Sequence, residues 1–115
     1  MNEKYIKNIE FEKVHGLKGL MSYVDGGVES RTLVQRDDFS MTLFSFAKGE
    51  GVSSYSMPGD TMIHIYEGVA DVIIDDQHKH RVNEGQSIVI SENVNHSIDA
   101  VEQMKVMIVI AKPQK

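Results

Sequence analysis

The side chains of this 115-residue chain best suited to hold a metal or move a proton near neutral pH are His15, His64, His78, His80 and His96. His78 and His80 form an H-x-H pair in QHKHR, a spacing that can clip a cation from one face of a strand. The pair also flanks a turn signal, where solvent exposure explains it as well. His15 lies in a polar leader with no motif around it. Carboxylates are many, but Asp37-Asp38 and Asp75-Asp76 read as turn residues, and no two sit on one strand at catalytic spacing. The absence of cysteine removes disulfides, thiolate nucleophiles, zinc fingers and iron–sulfur clusters together. There is no G-x-S-x-G elbow, no Walker loop and no dinucleotide fingerprint.

The remaining candidates depend on the elements that position them. A formal net charge of -5, with scattered Lys and Arg, predicts no nucleic-acid footprint. The charged start MNEKYIKNIEFEK lacks the apolar core of a signal peptide, and no apolar run reaches membrane-span length. With no cysteine, these features predict a cytoplasmic chain with no membrane partner. Its length fits one domain.

Strands are predicted almost throughout. Val14 to Tyr23 reads as one helical turn or a loop, and Asp25-Gly26-Gly27 as a turn. Val28 to Arg36 and Phe39 to Lys48 read as strands. The second has Met41 and Leu43 on one face and Phe44 and Phe46 on the other, so both faces should be covered. Met62 to Asp75 is a long β-branched run interrupted at Gly68, a position that suggests a bulge or bend. Shorter strands follow at Lys79 to Val82, Gln86 to Ser91, Ser97 to Val101 and Lys105 to Ala111, with turn residues between them. Such spacing indicates a small antiparallel all-β sandwich or barrel.

The glycines narrow the choice. The frame Gly49-x5-Tyr55-x-Met57-x3-Thr61-x6-Gly68 has the spacing of the first cupin motif, G-x5-H-x-H-x3/4-E-x6-G. The frame Gly85-x5-Ser91-x-Asn93-x2-His96 has the spacing of the second, G-x5-P-x-G-x2-H-x3-N. Over roughly Thr42 to Ile110 the chain therefore resembles the small single-domain bacterial cupins. The resemblance implies an all-β fold, the cupin double-stranded β-helix or jelly-roll barrel, with the motif residues at one mouth. It divides the chain into a leader, 1–27, packing on the barrel or on a dimer partner, and a barrel, 28–115.

In the metal-bearing members of that family the ligands are two histidines and a glutamate from the first motif and a histidine from the second. Those positions here are Tyr55, Met57, Thr61 and His96, and only His96 matches. A lone imidazole holds a divalent metal poorly, Tyr and Thr are weak donors unless deprotonated, and a thioether prefers soft ions such as Cu(I). Ser91, Asn93 and Ala100 also replace the Pro, Gly and Asn of the second motif, although Ser91 and Asn93 remain turn formers.

The resulting expectation is a barrel without the usual metal and with no cofactor. It would bind a small polar molecule in a pocket marked by Tyr55, Met57, Thr61 and His96. The alternative is a metal-dependent cupin enzyme, an oxygenase or isomerase, with an unconventional ligand set of His96 with His64 or with a residue of a partner copy. Strand alternation sets His64 on the face opposite Thr61 unless a bulge intervenes. His96 is open to two readings, a working group or a hydrogen-bonded residue left from an ancestral metal site. Apolar groups on both faces of Phe39 to Phe46 and Met62 to Tyr66 predict a homodimer.

Overall fold

The computed structural model describes residues 5–114. After a 3-10 turn at Leu17–Leu20, the chain runs through β1 (Val28–Gln35), β2 (Phe39–Phe46), β3 (Gly51–Tyr55), β4 (Asp60–Glu67) and β5 (Val69–Ile74). It continues through β6 (His78–Asn83), β7 (Ser87–Ile90), β8 (His96–Ala100) and β9 (Met104–Ala111). These form a five-stranded sheet, β1-β2-β9-β4-β7, facing a four-stranded sheet, β3-β8-β5-β6. The pairings within both sheets are antiparallel. This is the double-sheet jelly roll that the resemblance implies.

Two elements differ from the sequence reading. The run Met62 to Asp75 is two strands in opposite sheets, because the chain turns from one sheet to the other at Gly68 (φ 89). A Cβ at this position would run into the Gln103 carbonyl oxygen and Met104, so only glycine fits. The other difference is β3, GVSSY, which has a single aliphatic side chain and gives no apolar alternation. Its strand form comes from pairing with β8, and a Cβ at Gly51 would meet the Ile98 carbonyl.

The space between the sheets is filled by Phe46, Ile63, Ile65, Val72, Ile98 and Val106, each at most 1% exposed. Burying each such side chain contributes roughly 1.5–3 kcal/mol. Along β4 the buried residues are Thr61, Ile63 and Ile65, while Met62 stays exposed, the period of two that a half-covered strand requires. On β2, Phe44 and Phe46 face the core between the sheets. Met41 and Leu43 face outward into a second cluster, where Ile9, Leu17, Leu20 and Met21 of the leader cover them. Apolar groups on both faces of β2 are thus accounted for by two covers of different origin. The leader is tied down by polar contacts as well: Lys7 N–H donates to Leu33 O at 2.8 Å, and Tyr23 Oη donates to Glu67 Oε2 at 2.5 Å. Among the described residues no helix is long and apolar enough to cross a membrane.

Candidate functional site

At one end of the barrel, β3, β4 and β8 bring Tyr55, Thr61 and His96 into the terminal layer of the interior. His96 opens β8 and pairs with Tyr55 of β3 on one side and Ile74 of β5 on the other. It is 1% exposed. From His96 the alternating residues Ile98 and Ala100 continue down the buried face. Thr61 lies across from it on β4, paired with Ile90 and Ile110, and is likewise 1% exposed.

Tyr55 reaches this layer because β3 is irregular. Val52 pairs with Ile98 and Tyr55 with His96, so three steps along β3 match two along β8. The extra residue is a β-bulge, and it turns Tyr55 to the side that Val52 already occupies. The Tyr55 and His96 rings then lie 4.4 Å apart between centroids, inclined at 53°. Outside the bulge, Ser54 Oγ donates to Asp76 Oδ1 at 3.1 Å, and Asn95 Nδ2 donates to Ser54 Oγ at 2.7 Å. This network ties β3 to the β5–β6 turn and to the residue before His96. No spacing in the sequence announces it, since its members come from one strand and two separate turns.

The loop before β8 is stitched to the loop that carries Met57. Met57 O accepts from Asn93 N–H at 2.8 Å and from Gly59 N–H at 2.9 Å. Asp60 Oδ1 accepts from the Glu92 N–H at 2.9 Å. Asn93 has φ 63, a left-handed conformation that asparagine tolerates better than most residues, so it can stand where the motif has glycine. Met57 itself, in the loop between β3 and β4, is half-buried.

The polar chemistry at this end is sharply limited. His96 Nδ1 lies 3.1 Å from Val94 O. His96 Nε2 and Thr61 Oγ1 are buried with no hydrogen-bond partner. Burial pushes the Tyr55 hydroxyl above its ordinary range, so it stays a neutral phenol. A buried polar group without a partner costs about 1–3 kcal/mol, which marks these two atoms as the unexplained feature of the fold.

The same geometry tests the metal that the resemblance implies. Among the described residues no three His, Cys, Asp or Glu side chains converge. An imidazole, two neutral hydroxyls and a thioether do not fit a divalent metal. His64 adds nothing to this set, because it lies on the outer face of β4, opposite Thr61. Its ring stacks edge-on against Tyr66 at 4.8 Å, and its Nδ1 lies 2.6 Å from Ser87 Oγ. No bulge falls between Thr61 and His64 to reverse the alternation. His78 and His80 are exposed on the edge strand β6, and His15 Nε2 contacts Glu10 O in the leader at 2.8 Å. A surface cleft of about 690 Å³ lies beside this end, between Arg36–Asp38, Pro58 and Lys112–Gln114, and does not include Tyr55, Thr61 or His96.

Residues 42–111 match the cupin domain family. The chain is similar in structure to a conserved Streptococcus pyogenes protein of unknown function, with a TM-score of 0.95 and 41% identity over 98% of each chain. A cupin superfamily protein from Desulfitobacterium hafniense follows at 0.89 and 28%, over 94% of this chain and 98% of that one. A salicylate 1,2-dioxygenase from Pseudoaminobacter salicylatoxidans shares the fold alone, at 0.67 and 16%, over 82% of this chain and 29% of that one. No curated protein matches the chain.

Proposed function

Because the chain belongs to the cupin family, we propose that it keeps the barrel as a binding module for a small polar molecule and does so without the usual cupin metal. The observation that carries this reading is the pair of buried, unpartnered atoms at the barrel end, His96 Nε2 and Thr61 Oγ1. A fold under selection only for stability gains nothing by burying both unpaired, whereas a ligand that reaches them supplies the missing bonds. Tyr55 covers His96 in the closed form, so the ligand enters as that ring swings outward about the β3 bulge. Met57 lines the approach, a flexible side chain suited to an irregular contact. The pocket of this proposal is therefore Tyr55, Met57, Thr61 and His96, located in a cytoplasmic protein.

The test is the metal content of protein purified without chelator or metal-affinity tag, measured for the wild type and for His96→Ala. Sub-stoichiometric metal in both is the expected result. Stoichiometric Fe, Mn, Ni or Zn that vanishes in the variant would replace this proposal with the metal-dependent oxygenase or isomerase.

The proposal includes a second copy of the chain as partner. Support comes from β7, whose outer side has no strand neighbour in its sheet. Val89 of β7, at 66% exposed, pairs with Met62 of β4, at 38%, on the outer face. An apolar edge of this kind is ordinarily covered.

A further inference from the structure

We infer that the barrel end selects an uncharged ligand that donates a hydrogen bond to His96 Nε2, and disfavours carboxylates and other anions. The inference rests on the proposed ligand site and names the chemistry of its occupant. It starts from the 3.1 Å contact of His96 Nδ1 with Val94 O. A carbonyl oxygen only accepts, so Nδ1 carries the proton, and in the neutral imidazole Nε2 then presents a lone pair. Nε2 is buried and without a partner, and it can be satisfied only from the donor side.

The surrounding groups set the charge. Thr61 Oγ1 and the Tyr55 hydroxyl are neutral and can each donate or accept. The neighbours of the layer are Ile74, Ile90 and Ile110, which offer no polar group. Just outside, the carboxylates of Asp60 and Asp76 each already accept a hydrogen bond, and the cations at this end, Arg36 and Lys112, line the separate surface cleft that does not include His96 or Thr61. An anion drawn into the layer would be desolvated with no cation among these lining groups and, against a neutral ring, a lone pair facing it. A buried charge without a partner costs far more than a buried neutral group. An alcohol or a primary amide can donate to His96 Nε2 and pair with Thr61 Oγ1 without burying a charge.

Matched probes separate the two chemistries. Acetamide and acetate, and benzamide and benzoate, share shape and differ in the donor and the charge. Each would be titrated into the full chain while the ring nitrogens of His96 are followed by nitrogen-15 NMR. The free protein should show a protonated Nδ1 and a bare Nε2. The amides should move the Nε2 signal and bind at least about tenfold more tightly than the carboxylates. Thr61→Val, which keeps the side-chain shape, should weaken the amide and leave the Nδ1 proton in place. A proton found on Nε2 instead of Nδ1, or a carboxylate that binds more tightly than its amide, overturns the inference while leaving a ligand site at the barrel end. Saturating amounts of all four probes without a change at His96 would remove both the inference and the proposed site.

Discussion

At the scale of single residues, the barrel end is defined more by what Thr61 and His96 lack than by what they touch. Thr61 is flanked by Ile90 and Ile110, in a place where valine would pack as well and bury no hydroxyl. Thr61→Val should therefore raise stability by about 1 kcal/mol, read as a higher urea midpoint at unchanged slope. An unchanged or lower midpoint would show that the hydroxyl is satisfied in the resting protein. Tyr55 carries the opposite lesson. Its residue type is visible in the sequence, but its contact with His96 depends on one extra residue in β3. Period-two reasoning from Val52 places Tyr55 on the wrong face, and nothing in GVSSY marks the bulge.

At the scale of elements, the decisive points are the bend between β4 and β5 and the seat of the leader. Gly68 and Gly85 share a positive φ, 89 and 83, but differ in surroundings. A Cβ at Gly85 meets open space, while one at Gly68 strikes the Gln103 carbonyl and Met104. Gly85→Ala should cost about 1 kcal/mol, from backbone strain alone, and Gly68→Ala at least about twice that. Equal losses in denaturant unfolding would mean that the backbone at the bend yields freely.

The leader is held in part by Tyr23, whose pKa is raised by burial first, then by its hydrogen bond to Glu67 and the carboxylates of Glu67 and Glu84. The folded chain keeps that proton where the unfolded chain has lost it, so stability falls as pH rises above the ordinary tyrosine value of 10.0. Tyr23→Phe should lose about 1 kcal/mol at pH 7 and show a shallower alkaline decline, because Tyr55 and Tyr66 are also raised by burial. Parallel pH profiles for the two proteins would exclude Tyr23 as a source of the decline.

At the scale of the whole molecule, the two faces of the five-stranded sheet have different fates. The inner face packs on the second sheet, and part of the outer face is covered by the leader around Leu43 and Met107. The β7 side of the outer face is left open at Met62 and Val89. Light scattering at micromolar concentration should give twice the monomer mass, and Val89→Lys should halve it with the fold intact by circular dichroism. A monomeric wild type would end the dimer proposal.

The sequence by itself determined the all-β class, most strand positions and the register of the two glycine-framed motifs. These rest on local physics: period-two patterning, turn chemistry, and the positive φ that Gly49, Gly68 and Gly85 adopt. It also determined that Tyr55, Met57 and Thr61 stand where metal ligands would be, which is a matter of counting residues. The tertiary structure decided which of these side chains meet. The bulge in β3 delivers Tyr55 to His96, unbroken alternation from Thr61 to His64 holds His64 outside, and the turn before β8 sets the Val94 carbonyl 3.1 Å from His96 Nδ1. Each of these depends on which strand lies beside which, and such non-local pairing leaves no periodic trace in the chain.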